Sequence, residues 1–274
     1  MDRPIIGSEA IDAGLLTRGA LRWNYRAILP DVYLPAGARR SILNRAYAAW
    51  LWTGRQGVIA GRTAAALYGV AGVEDDAPIE IIAKPRRAQP GVVVRDERLE
   101  ADEIGIYGEL SITTPARTAF DLARRLPRDE AVVHLDMLAD CTEISRTDVA
   151  PLQQRYRTAR GTVNAYDALE VMDGGSRSPE ETRVRLWLID AGLPHPQTSI
   201  PVADHRWEST VGIGWRDARV GVQWAEHRPN LTSDILFRDL LSRLGWQLIE
   251  VAPLHGPWNV VGRCRDALRR RGFR

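Results

Sequence analysis

With 274 residues, 45% of them hydrophobic, the chain can build sizeable cores in one to three domains and is not a disordered tail. A formal net charge of +2 does not announce a nucleic-acid partner. No apolar run of roughly 18 residues is available to cross a membrane, and the start "MDRPIIGSEA" lacks a basic segment followed by an apolar one, so a cytoplasmic location and no membrane partner are expected. Cys141 and Cys264 belong to no metal-spacing motif and are expected as reduced thiols; the five histidines are scattered and predict no zinc site.

In chain order, Ser8 is expected to cap a short helix carrying Ile11, which Gly14 ends. Thr17 is positioned to cap a second helix, "RGALRWNYRA", with Leu21 inward. "ILPDVYLP" follows as a strand or β-wing. Helix, glycine turn, helix and wing predict a small winged helix-turn-helix over 1–40. Arg18, Arg22, Asn24 and Arg26 then lie on or near the second helix, where a major-groove reader would stand. Lys84 is the single lysine, which genome base composition explains. Arginine nevertheless suits phosphates and base edges through its planar fork of donors.

Residues 41–172 read as a mixed α+β middle block. "RAYAAWLW" is a core helix, "GRTAAALYGV" a second short helix, and "PIEIIAK", "GVVVRDE" and "IGIYGELSIT" are strands. Thr114 and Pro115 form a strong helix start. Arg117 and Asp121, four apart on that helix, are expected to pair at the surface. Two or three more helices follow, through "DEAVVHLDMLADC", "TDVAPLQQRY" and "VNAYDALEVM". The glycines of "DGGSRS" at 173–178 predict a linker and a domain boundary.

Over 179–274 the expected order is α-β-β-β-α-β plus a final helix: a helix from Pro179, a strand near 198–203, a hairpin over 208–225 turning at Arg216–Asp217–Ala218, a helix over 233–244, the strand "WQLIEVA" and a helix over 258–271. On the hairpin, Val211, Ile213 and Trp215, and across from them Val220, Val222 and Trp224, are expected on core faces. The alternate positions carry Gly212, Gly214, Gly221, Gln223 and Ala225, with no carboxylate among them. The last dozen residues, "RCRDALRRRGFR", make Arg269, Arg270 and Arg271 either a solvated helix end or a phosphate-binding tail.

That element order, with "SPEETRVRLWLIDAGLPHPQTSIPV" and "RDLLSRLGWQLIEV", resembles the Vsr-like branch of the PD-(D/E)xK nuclease superfamily. The N-terminal part resembles the winged-helix domain of AbiEi-type antitoxins, a pairing found in actinobacterial proteins. The resemblance covers nearly the whole chain. It implies an α/β, α+β multidomain protein: a winged helix, a mixed middle block and a C-terminal αβββαβ restriction-endonuclease-like domain. It also implies a helix glutamate at Glu181, but places Gly212, Gln223 and Ala225 where the family's strand acids stand, with His227 just beyond. A Mg²⁺ or Mn²⁺ cofactor needs several converging anionic oxygens, which these positions no longer supply. Glu181 is open to two roles. As the fourth residue of Ser178–Pro179–Glu180–Glu181 it completes a capping box; as a surviving ligand it is the one metal-binding candidate. Glu226 and His227 are a candidate displaced acid and base.

Three functions follow as expectations. The first is a DNA-binding regulator or antitoxin-like protein contacting double-stranded DNA, with no cofactor and a catalytically degenerate nuclease domain. The second is a metal-dependent endonuclease with a non-standard site. The third is a module that neutralises a cognate toxin, using tryptophan anchors such as Trp187, Trp207 and Trp258.

Overall fold

The computed structural model describes residues 3–225 and 231–273, the side chain at 231 excepted. The protein is mixed α+β, with three separate sheets among the described residues. Its contacts form two compact units, each assembled from two stretches of chain: Met1–Leu126 with Arg146–Asp167, and Pro127–Ser145 with Ala168–Arg274.

The first unit begins with β1 (Ile5–Ile6), α1 (Gly7–Asp12), α2 (Arg18–Asn24), β2 (Tyr25–Leu29) and β3 (Val32–Pro35). The strands pair antiparallel in the order β1-β3-β2. Thr17 caps α2 as expected, its Oγ1 accepting the Ala20 N–H at 3.1 Å. Ser8 does not cap α1. The N-cap is Ile6, and Ser8 sits inside the helix with both its N–H and its hydroxyl donating to Asp31. Asp31 occupies the β2–β3 turn at φ +59°, so a carboxylate from the hairpin competes for the hydroxyl that sequence proximity assigned to a cap.

Next come α3 (Ile42–Trp52), β4 (Val58–Ile59), α4 (Gly61–Leu67), β5 (Ile79–Ile82), β6 (Val92–Arg95), β7 (Ile104–Tyr107) and β8 (Leu110–Thr113). The five strands lie in the order β6-β5-β4-β8-β7. Ala46 and Ala49 of α3, Ala64 of α4, and Ile59, Ile81 and Ile112 of the sheet form one buried core. Helices α5 (Pro115–Arg125), α6 (Arg128–Thr142), α7 (Arg146–Arg155) and α8 (Thr162–Glu170) follow. Thr114 caps α5, accepting the Arg117 N–H, and Pro115 fills the first turn.

The expected surface pair of Arg117 and Asp121 is instead buried, with the two side chains 1% and 0% exposed. Arg117 also meets Glu97 at 3.0 Å and Glu103 more closely still. Arg124 and Arg125 share Glu97 and Asp121, and Arg155 of α7 reaches Glu103 at 2.5 Å. The correction has a plain cause. Buried carboxylates must be matched by donors, and their partners come from segments far away in sequence.

The second unit holds α6 together with α9 (Pro179–Asp190), β9 (Gln197–Ala203), β10 (Glu208–Trp215), β11 (Val220–Trp224), α10 (Leu231–Arg243), β12 (Gln247–Val251) and α11 (Pro257–Arg270). The sheet order is β12-β11-β10-β9, parallel between β11 and β12 and antiparallel elsewhere. Two apolar clusters flank it. Val184, Leu188, Ile213, Val222, Ile249, Val260 and Cys264 join α9 and α11 to the sheet. Ile200, Val202, Val211, Phe237 and Leu240 pack with α10. Val211 therefore does not share a core with Ile213, as simple alternation predicted. Both sheet faces are covered by helices, so each face needs apolar residues: Val211 packs with α10, and Ile213 with α9 and α11.

Residues 173–178 are not a free linker. The Asp173 N–H donates to Asp136 of α6 at 2.8 Å, Thr198 of β9 donates to Asp173 at 2.8 Å, and Ser199 donates to the Gly175 carbonyl at 2.8 Å. A Cβ at Gly175 would come within 2.1 Å of Thr198 Oγ1. The glycines serve close packing inside this unit rather than freedom between units, and the division expected there falls elsewhere.

Candidate functional site

Helix α9 starts where Ser178 Oγ accepts the Glu181 N–H at 3.2 Å, with Pro179 in the first turn. Glu181 is 7% exposed, and its Oε2 accepts the Arg177 N–H at 2.9 Å. The reciprocal bond of a capping box thus reaches one residue before the N-cap. Capping accounts for one carboxylate oxygen. The other, Oε1, stands over Gly212, 2.6 Å from where a Cβ would be built.

Around this carboxylate lies a cavity of about 180 Å³ lined by Arg177, Ser178, Glu181, Thr210, Gly212, Gln223 and Trp224. The structure therefore brings together Glu181, Gly212 and Gln223, three positions singled out in the sequence. Ala225 is exposed at the end of β11 and does not line the cavity. Glu226 and His227 lie outside the described residues. Gln223 Oε1 is buried and meets no donor among the described residues. Arg177 and Thr210 were missed in the sequence. Thr210 follows the alternation of β10, but Arg177 is brought in only by the turn into α9.

Among the described residues the cavity carries a single carboxylate, and no group of three His, Cys, Asp or Glu side chains converges anywhere in them. That donor set does not fit Mg²⁺ or Mn²⁺, which ask for several anionic or carbonyl oxygens.

The second grouping is on α2. Arg18, Arg22, Trp23 and Asn24 are all exposed, Trp23 by 82%. Among the described residues Arg18 and Arg22 form no ion pair. Leu21 is buried and holds the opposite face. Arg26 lies on β2, and its guanidinium donates to the Ala38 carbonyl at 2.5 Å, which ties it to the loop after β3. Trp23 was not singled out in the sequence; an aromatic between two polar residues of an amphipathic helix was the available signal. At the C-terminus, Arg269 and Arg270 are exposed at the end of α11, and Arg271 donates to the Gly245 carbonyl at 2.8 Å. Of the tryptophans expected as anchors, Trp187 and Trp207 pack against the two cores, whereas Trp258 is 90% exposed, near Leu254 at 97%.

Burial shapes the titratable groups. Asp136 of α6 receives Thr182 and Arg185, yet desolvation outweighs them and pushes its carboxyl up to about 6. Desolvation also raises the Cys264 thiol to about 12, while the Cys141 thiol is exposed and raised less. Among the described residues no helix is long and apolar enough to cross a membrane.

The fold and cavity define a two-unit α+β protein with a polar pocket at the start of a helix and a solvent-facing arginine helix near its N-terminus. No family model matches the chain. Two Mycobacterium tuberculosis proteins do: the uncharacterized protein Rv2248 of strain H37Rv and the uncharacterized protein MT2308 of strain CDC 1551. Each is 30% identical over 223 residues, spanning 79% of this chain and 82% of its own. The chain belongs to the family of these mycobacterial proteins. The crystal structure of the RV2827C protein from the same species superposes with a TM-score of 0.42 and 16% identity, over 72% of this chain and 79% of its own.

Proposed function

We propose that this is a DNA-binding protein of regulatory or antitoxin-like type. Its first unit contacts double-stranded DNA through an AbiEi-like winged helix, and its second unit is a Vsr-like PD-(D/E)xK frame without the metal-binding ring. One observation carries the reading. Arg18, Arg22 and Asn24 all face solvent on the capped helix α2, directly ahead of the β2–β3 hairpin. Two guanidiniums on an exposed helix, without an ion pair among the described residues, suit phosphate and guanine contacts. Arg26 has a smaller part, because its donors are shared with Ala38.

Fluorescence anisotropy of the full chain with labelled duplex, repeated across salt concentrations, tests the proposal. Affinity is expected to fall steeply with salt. Loss of all binding to every duplex tried would end this reading. A second reading, docking of a protein such as a cognate toxin, is favoured by Leu254 and Trp258 exposed together in the second unit. Co-purification with a neighbouring gene product tests it.

A further inference from the structure

We infer that the cavity beside α9 is a binding site for a guanine base. The inference does not rest on DNA binding by α2. Three features define the ligand. The first is the pair of acceptors. Gln223 Oε1 is buried without a donor among the described residues, and the Glu181 carboxylate lines the same space. A buried acceptor without a donor carries a desolvation cost, which a ligand with N–H groups relieves. Each carboxylate oxygen has two lone pairs, so a ligand can share Glu181 with its protein partners.

The second feature is charge. Arg177 lies on the same lining, so the described lining sums to a neutral pair, Glu181 with Arg177. A neutral ligand with a donor edge and an acceptor edge fits better than a cation, which Arg177 repels, or an anion, which Glu181 repels. The third is size. A cavity of about 180 Å³ admits a planar ring system. Guanine satisfies all three. Its N1–H and N2–H₂ form adjacent donors for Glu181 and Gln223, and its O6 and N7 form the acceptor pair that an arginine fork reads. Adenine and cytosine each present a single exocyclic amine and no adjacent ring N–H.

Gly212 makes the site possible. A side chain there would displace Glu181 Oε1 from the cavity wall. The glycine therefore keeps the Glu181 carboxylate on the cavity wall, where a ligand can meet it.

Calorimetry of the full chain tests this with guanosine 5′-monophosphate, adenosine 5′-monophosphate and arginine amide as separate probes. Duplexes with and without one unpaired guanine form a further arm. Expected is one site per chain for the guanine nucleotide, with adenosine monophosphate at least about tenfold weaker. Tighter binding of the unpaired-guanine duplex than of its fully paired control would identify DNA as the source of the base; equal binding would identify the free nucleotide. Gln223→Leu should abolish guanine binding and leave the unliganded melting temperature equal or higher, because an unsatisfied acceptor is replaced by a side chain of similar size. Gly212→Ala should also abolish binding. Preferential binding of arginine amide, no discrimination between the nucleotides, no binding at all, or unchanged guanine binding in folded Gln223→Leu would each overturn the assignment.

Discussion

Glu181 Oε1 occupies the space that a side chain at position 212 would need: a Cβ on Gly212 would lie 2.6 Å from that oxygen. The two positions that the resemblance assigns to a shared metal ring are thus mutually exclusive here in their present geometry. Restoring the acid by Gly212→Asp should not restore a metal site. It should force Glu181 aside and lower stability by about 1–3 kcal/mol, the usual cost of overpacking. Thermal unfolding and Mn²⁺ calorimetry on the variant check both halves. Tight Mn²⁺ binding by Gly212→Asp alone would show that Glu181 moves freely and that the exclusion is not real.

On α2, Arg18→Ala and Arg22→Ala should each weaken duplex binding. If each arginine contacts a phosphate, the slope of log affinity against log salt should fall by about one unit per substitution. Arg26→Ala should change it less, since its donors already serve the Ala38 carbonyl. Equal losses at all three positions would indicate a diffuse cationic surface rather than a reading helix.

The buried ion network of the first unit makes a graded prediction. Arg117→Met leaves Glu103 and Asp121 without their shared partner in a closed interior, and should destabilise by about 3–5 kcal/mol. Arg155→Met removes a partly exposed partner from Glu103, which Arg117 still holds, and should cost about 1 kcal/mol. Denaturant titration of the two variants gives the comparison, and equal effects would mean that the network is not organised around Arg117.

Much of this was readable locally and little of it at a distance. The caps at Thr17, Thr114 and Ser178 were legible because a cap concerns residues three apart. Ser8 looked equally good but lost its hydroxyl to Asp31, a partner across a hairpin. Arg117 and Asp121 fell on one helix face as expected, yet their burial depends on Glu97, Glu103 and Arg155, which no local pattern connects to them. The same holds for the site. Glu181, Gly212 and Gln223 were picked out by a family pattern, while Arg177 and the unpartnered Gln223 oxygen emerge only in three dimensions.

Asp136 predicts a pH dependence. Its folded carboxyl is raised to about 6, above its ordinary value of 3.8, so the folded state binds the proton more tightly than the unfolded chain does. The resulting stability is fully present below about pH 4 and is lost as pH rises through about 6. Between pH 5 and 7, about the upper part of that window, the melting temperature of the wild type should decline more than that of Asp136→Asn. Parallel slopes in the two proteins would contradict the assignment.

The two thiols should separate kinetically. Cys141 is exposed and should label with a maleimide in the native protein, whereas Cys264 is buried with its thiol raised to about 12 and should label only on unfolding. Mass spectrometry of native and denatured samples gives the count, and fast native labelling at Cys264 would show that the α11 core opens.

The interleaving of the units bears on how the molecule can be made and divided. Helix α6 is synthesised before α7, yet α6 belongs to the second unit and α7 to the first. On a ribosome, α6 must wait with its apolar face uncommitted until α9 emerges, because Asp136 finds Thr182 and Arg185 only there. A cut at 173–178 would strand Arg185, fully buried in its own unit, without its carboxylate. Neither half is a portable module: a gene fusion or truncation that respects only the linear order would inherit an unpaired charge in its core.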